Sequence, residues 1–265
     1  MFGANLVLFL AQPALAADAS PWDGDQRAAV RLIAGAPRAA IHRAGIEIRL
    51  APGWKTYWRY PGDSGVPPRF DLSGSRNVKS VTVRYPAPQR LKDESGTSIG
   101  YKHDVVFPLD VIPQDAKQPV VLSLKADYAI CEKICIPAEG KAELTLSGKP
   151  GTQDDKLRKS EVLVPKPAAL GGDGALGIRT ARRDGARVLV DIAAPDGTPV
   201  DLFAEGPTPD WALPVPSPVA GAPAGQQRFA FELDGLPPNT KADGATLTLT
   251  AVAGERAIEV PYRLD

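Results

Sequence analysis

Apolar and charged residues alternate with a period of two through much of this chain. Ile46-Glu47-Ile48-Arg49-Leu50 places apolar side chains on one face and charges on the other, as a strand with one solvated face should. Residues 78–85, 105–112, 120–124 and 142–146 are further strand candidates. Turn signals separate them: Pro61-Gly62-Asp63, Ser73-Gly74-Ser75, Ser95-Gly96 and Pro113-Gln114-Asp115. The strand pattern breaks over residues 150–174. That stretch holds a polar piece with helical character (152–160), then Pro165-Lys166-Pro167, then Gly171-Gly172-Asp173-Gly174. The pattern resumes at 187–192, 200–205, 228–233, 246–252 and 257–262. Residues 207–223 carry six prolines and predict a long irregular loop.

Short strands broken by frequent turns predict an all-β protein of antiparallel sandwiches. The break divides the chain into a first domain over 20–149, a linker over 150–174 and a second, smaller β-sandwich domain over 175–265. Composition agrees: 25 glycines and 27 prolines make up about a fifth of the 265 residues, against a usual share of roughly 12%, which leaves little room for long helices. A hydrophobic content of 43% is enough for a packed core.

Charge narrows the function classes. The 31 basic and 31 acidic residues cancel, and no basic run is present, which excludes a nucleic-acid binder that works by neutralising phosphates. No apolar stretch is long enough to span a membrane in the mature chain. The one apolar run, Leu6 to Ala11, is followed by Ala14-Leu15-Ala16. This reads as a secretory signal peptide over residues 1–17, with Asp18-Ala19-Ser20-Pro21 opening the mature chain. No Lys or Arg precedes the run, so the signal is expected to start further upstream. Export places the chain in an oxidising compartment, the periplasm of a bacterium.

The chemistry is concentrated in Asp127-Tyr128-Ala129-Ile130-Cys131-Glu132-Lys133-Ile134-Cys135-Ile136-Pro137, which contains the chain's two cysteines. With strands on both sides, Glu132, Lys133 and Ile134 form a three-residue hairpin loop and the cysteines face each other across its mouth. Opposed antiparallel residues lie about 4.5–5.5 Å apart at Cα, within disulfide range. From the residues, two readings stand side by side. One is a structural staple, although closing a five-residue loop removes only about 2 kcal/mol of unfolded-chain entropy. The other is a reversible, redox-active pair. Copper(I) or zinc binding would need further ligands, and only His42, His103 and Met1 are on offer. A Cys–His hydrolase lacks a visible oxyanion arrangement.

The same segment, together with Gly53-Trp54-Lys55-Thr56-Tyr57-Trp58-Arg59, Pro61-Gly62-Asp63-Ser64-Gly65 and Gly100-Tyr101 leading into Val105-Val106-Phe107-Pro108-Leu109, resembles a known family. That family is the N-terminal periplasmic domain of the thiol:disulfide interchange protein DsbD, in the variant found in the suppressor-of-copper-sensitivity protein ScsB. The matching pieces cover roughly a third of the chain, from about residue 53 to 146. The resemblance implies an immunoglobulin-like β-sandwich with a redox-active Cys131–Cys135 pair. It implies that electrons arrive from a membrane-embedded thiol reductase and leave to periplasmic thioredoxin-like or disulfide-isomerase-like proteins. By position, Cys135 would form the mixed disulfide and Cys131 would resolve it. The cysteines hold the electrons, so neither an organic cofactor nor a metal is expected. Copper handling is a further alternative that rests on the resemblance alone, and a non-catalytic secreted binding module with an inert disulfide is another.

The sequence departs from the family in three ways. The cysteine spacing is tighter than in DsbD. The loop that caps the DsbD disulfide carries an Asp-Glu-aromatic run, and here it reads Asp93-Glu94-Ser95-Gly96, with no ring. The family's membrane and thioredoxin-like domains are not expected in this chain, so a separate membrane reductase would supply it.

Around the pair, Tyr57, Asp93, Glu94, Tyr128 and Pro137 are the expected supporting residues. On a strand Tyr57 faces away from Trp54 and Trp58, which are expected in the core, and the resemblance places a tyrosine of this strand beside the disulfide. Carboxylates near the thiols would raise their pKa, and Lys133 would lower it. His103 reads as a surface residue, and Trp211 as a plug over the second core.

Overall fold

The computed structural model describes residues 17–62, 65–93, 96–146, 148–149 and 151–265. The expected signal peptide, residues 1–17, falls outside this set except for Ala17. Two sandwiches make up the described chain. The first comprises β1 (Asp23–Gly24), β2 (Ala28–Ala34), β3 (His42–Leu50), β4 (Lys55–Gly62), β5 (Arg69–Asp71) and β6 (Val78–Val83). It continues with β7 (Gln89–Asp93), β8 (Gly96–Tyr101), β9 (Val105–Pro113), β10 (Val120–Cys131) and β11 (Cys135–Leu146). One of its sheets runs β1-β2-β3-β9-β6. The other runs β11-β10-β4-β8-β7, with β5 added on β10. Helix α1 (Asp154–Val162) follows.

The second sandwich comprises β12 (Lys166–Pro167), β13 (Gly177–Asp184), β14 (Arg187–Ala193), β15 (Val200–Glu205), β16 (Ser217–Val219), β17 (Gln226–Glu232), β18 (Thr246–Ala253) and β19 (Arg256–Arg263). Its sheets run β12-β19-β18-β15 and β13-β14-β17-β16. Each sandwich packs its two sheets around one core. Trp58, Phe107, Ile46, Leu122 and Ile130 are buried in the first, and Ile192, Leu202, Trp211, Phe229 and Leu249 in the second. Trp211 is the expected plug.

Three elements differ from the sequence reading, each for a physical reason. The strands expected at 120–124 and 142–146 are the ends of one long hairpin, paired without a break from Val120↔Leu146 to Cys131↔Cys135. The charges at Lys125, Asp127, Glu139 and Lys141 continue the alternation on the outer face, so they do not end the strands. The β3 strand, expected to be solvated on one side, is covered on both. Glu47 is 1% exposed because α1 lies over that sheet, where Arg31 (2.7 Å) and Lys156 (2.5 Å) pair with its carboxylate. The proline-rich segment 207–223 is not wholly irregular. It contributes β16, an edge strand on β17, where Pro218 removes no inner ladder bond.

The segment 150–174, expected as a linker, divides between the two bodies. Leu157 of α1 is fully buried against Ile33 and Val106. The buried Arg43 guanidinium holds both ends of the helix, through Asp154 at 2.7 Å and through Glu161 at 2.7 and 2.8 Å. Beyond it, β12 pairs in parallel with β19 of the second sandwich.

A partly buried ion pair gives the second sandwich a pH dependence. Asp191 on β14 receives two hydrogen bonds from Arg228 on β17 (2.6 and 2.8 Å) and one from Thr180 (2.9 Å). These bonds, led by those from Arg228, hold its carboxyl below the ordinary value of 3.8. A depressed folded pKa stabilises above the unfolded value, and that contribution is lost as pH falls through the folded one. The melting temperature of the second sandwich should therefore fall off below about pH 4. Asp191→Asn should lower its melting temperature at neutral pH and flatten this acid limb. An unchanged acid limb in the variant would show that other carboxylates control it.

Candidate functional site

The β10–β11 hairpin carries the site at its tip. Along β10, Val120, Leu122, Leu124, Ala126, Tyr128 and Ile130 all point into the first core. The intervening residues point to the outer face of the sheet, where Ala129 and Cys131 form a small cluster with Tyr57. Cys131 and Cys135 are the last cross-strand pair, with Cα atoms 4.1 Å apart, and they are joined by a disulfide. Glu132, Lys133 and Ile134 make the loop, all exposed, and Ile134 is 74% exposed.

The two sulfurs sit in different surroundings. Cys131 is 6% exposed. Its other cross-strand neighbour is Lys55 at the start of β4, itself buried, whose Nζ donates to Ser98 Oγ at 3.1 Å. Cys135 is exposed. The Tyr57 hydroxyl, on a side chain only 2% exposed, donates to Cys135 Sγ at 3.1 Å. Thr56, between Lys55 and Tyr57, bonds through Oγ1 to the Ala129 carbonyl at 2.9 Å and fixes β4 against β10. The arrangement is one buried cysteine, one exposed cysteine, and a positioned O–H on the sulfur of the exposed one. In the reduced state such a hydroxyl stabilises a thiolate, because a hydrogen bond to the charged form favours it.

The structure brings together Cys131, Cys135, Tyr57 and, two residues beyond Cys135 on the same face, the exposed Pro137. Tyr128 does not join them, which corrects the expectation from sequence. Alternation along β10 turns it to the opposite face, into the core, where its hydroxyl has no hydrogen-bond partner among the described residues. Burial, with the charges of Asp25 and Asp23, pushes its pKa up to about 12. Asp93 ends β7, which pairs with β8, and Glu94 lies outside the described residues.

Two participants were not foreseen as such. Lys55 stood in the quoted motif without a role, and the register of β4 on β10 was the missing signal. Gly65 is the other. With φ at +154°, a Cβ there would lie 2.5 Å from Tyr57 Cε1, so its backbone rests on the Tyr57 ring in a way only glycine allows.

Among the described residues no group of three or more His, Cys, Asp or Glu side chains is arranged to hold a metal ion. No helix among them is long and apolar enough to cross a membrane.

Comparison with known proteins agrees with the geometry. Residues 25–147 match the family described as thiol:disulfide interchange protein DsbD, N-terminal. No curated protein matches the chain in sequence. Among solved structures, the N-terminal periplasmic domain of ScsB from Proteus mirabilis is similar, with a TM-score of 0.74 at 19% identity. The similarity covers 93% of this chain and 98% of that one, so the shared fold takes in both sandwiches.

The unequal burial of the sulfurs predicts unequal reactivity. After reduction, a brief pulse of alkylating reagent at neutral pH should label Cys135 before Cys131, by at least about tenfold in rate. Peptide mass spectrometry reads the two sites separately. Equal rates would mean that the reduced hairpin opens and no longer protects Cys131.

Proposed function

We propose that this protein is a periplasmic thiol–disulfide exchange protein in which Cys135 exchanges with partner proteins and Cys131 resolves the mixed disulfide. The observation that carries the reading is the asymmetry at the hairpin tip: an exposed Cys135, bonded to a buried Cys131 and touched by the Tyr57 hydroxyl. A staple needs no accessible sulfur, no positioned hydroxyl and no place at the end of a ladder that is already twelve pairs long.

The chemistry balances without any added group. A reduced donor attacks the disulfide at Cys135 Sγ, and the Cys131 thiolate leaves. Cys131 is displaced rather than attacked because it is buried. A mixed disulfide joins the donor to Cys135, and the donor's second thiol displaces the Cys135 thiolate. The donor is oxidised and the pair has gained two electrons and two protons. In the reverse sense, the Cys135 thiolate attacks an oxidised partner's disulfide, and Cys131 then attacks Cys135 Sγ, reforming the bond and releasing the partner reduced. The proposed electron donor is a membrane-embedded thiol reductase. The proposed acceptors are periplasmic thioredoxin-like or disulfide-isomerase-like proteins, in keeping with the family that residues 25–147 match. Exposed Ile134 and Pro137 beside Cys135 offer such partners an apolar landing at the reacting sulfur.

Two substitutions test the mechanism. Cys135→Ala should abolish exchange with an oxidised thioredoxin-like substrate. Cys131→Ala should accumulate a covalent complex through Cys135, visible on a non-reducing gel and released by dithiothreitol. The reduction potential should lie above about −300 mV, the region below which structural disulfides usually fall. A lower potential, with exchange intact in both variants, would reduce the pair to a staple.

A further inference from the structure

The strand that carries Tyr57 is not held by its own sheet on the side away from the cysteines. β4 is laddered to β10 through Lys55 and Thr56, and to β8 through Thr56 and Tyr57. The β4–β8 register then breaks and resumes only at Gly62, opposite Ser98. Across this bulge the second sandwich adds contacts to those that Trp58 makes in the first core and Arg59 makes with the Tyr85 ring. The fully buried Trp58 packs its ring 5.7 Å from that of Phe203 on β15. The Arg59 guanidinium makes two hydrogen bonds to Glu205, at 2.8 and 2.7 Å, and also pairs with Glu259 of β19. It lies 4.4 Å over the Trp58 ring as well. Burial works against the Arg59 charge, but Glu205 and Glu259 more than offset it and its pKa stands above the ordinary value. Gly62 sits against Val215, and two strands over, on β7, Arg90 is tied to Asp201 at 2.8 Å and to the Pro216 carbonyl at 2.8 Å.

We propose that the second sandwich is a positioning element of the redox site: by gripping Trp58 and Arg59 it fixes the bulged segment of β4, and so holds the Tyr57 hydroxyl on Cys135 Sγ. Glu205 and Glu259 touch neither sulfur and act through Arg59 and Tyr57. Gly65 completes the arrangement, since its backbone rests on the Tyr57 ring. The C-terminal sandwich then has a task in thiol chemistry although it contains no cysteine. The inference takes its purpose from the exchange reading but is tested without any partner protein, so a flat result would leave exchange by Cys135 standing.

The experiment measures the alkylation rate of Cys135 in the reduced full-length protein as a function of pH, beside the melting temperature. Tyr57→Phe removes the hydroxyl and should slow Cys135 at neutral pH by about tenfold, moving its pH profile upward, as expected for losing a hydrogen bond to a charged group. The pair Glu205→Gln with Glu259→Gln should slow it by about threefold in the wild-type background and have no further effect in the Tyr57→Phe background, because coupled residues are not additive. Gly65→Ala, which displaces the ring directly, should behave in the same way, and it carries the test if the double glutamine variant does not fold. The proposal is overturned if these variants lower the melting temperature but leave the Cys135 profile unchanged. It is equally overturned if their effect persists in full when Tyr57 is phenylalanine.

Discussion

The alternation of side chains along β10 is the constraint on which this structure turns. Inward residues of that strand build the first core, and outward residues build the face that carries the cysteines, so one twelve-residue segment does both tasks without conflict. Its continuous register with β11 transmits the choice of face to the cysteines. A slip of one residue would exchange the two sets, burying the charged face and exposing the apolar one. The core contacts of Leu122, Leu124 and Ile130 therefore fix the orientation of Cys131 as firmly as anything at the tip does.

That constraint also explains why the two sulfurs differ. Both belong to the outer face, but Cys131 lies on an inner strand, flanked by β4 and β11, whereas Cys135 begins the edge strand. Neighbouring side chains on two sides cover Cys131, and Cys135 has such cover on one side only. An edge strand is normally a liability that proteins shorten, charge or cover. Along β11 the middle is covered, with Asp23 of β1 accepting from the Lys141 backbone N–H at 2.7 Å, and the end at Cys135 is left accessible. The exposure that exchange chemistry needs follows from where the hairpin sits in its sheet.

Much of this was legible in the chain, and the parts that were not have identifiable causes. Period-two alternation found most strands, the Cys131-to-Cys135 spacing implied the hairpin, and the block around Tyr57 set that side chain on the face opposite Trp58. Strand β2, Ala28–Ala34, escaped notice because it is buried on both faces and so has no alternation to read. Glu47 looked like a solvated charge for the converse reason: its partners Arg31 and Lys156 lie 16 and 109 residues away, and local pattern carries no information at that range. Tyr128 stands beside the cysteine motif in sequence, but parity along β10 turns it inward. Gly65 and Lys55 depend on a register and a loop path that only the folded chain displays.

The most instructive departure is the bulge in β4, because it is where regular strand geometry yields to a second body. Four successive positions give up ladder bonds, each worth about 1 kcal/mol net when paired. In return they gain an aromatic contact with Phe203 and an arginine shared between two glutamates of the other sandwich. An exposed pair of that kind would contribute little. These groups are partly buried, with side-chain exposures of 28, 16 and 26%, so the geometry rather than the charge count carries the contribution. Bulges re-aim side chains and gather beside reactive sites, and this one starts at the residue after Tyr57. A uniform strand would have served a single sandwich. The break makes sense for a chain in which one segment must face the sulfurs at one end and hold a second domain at the other.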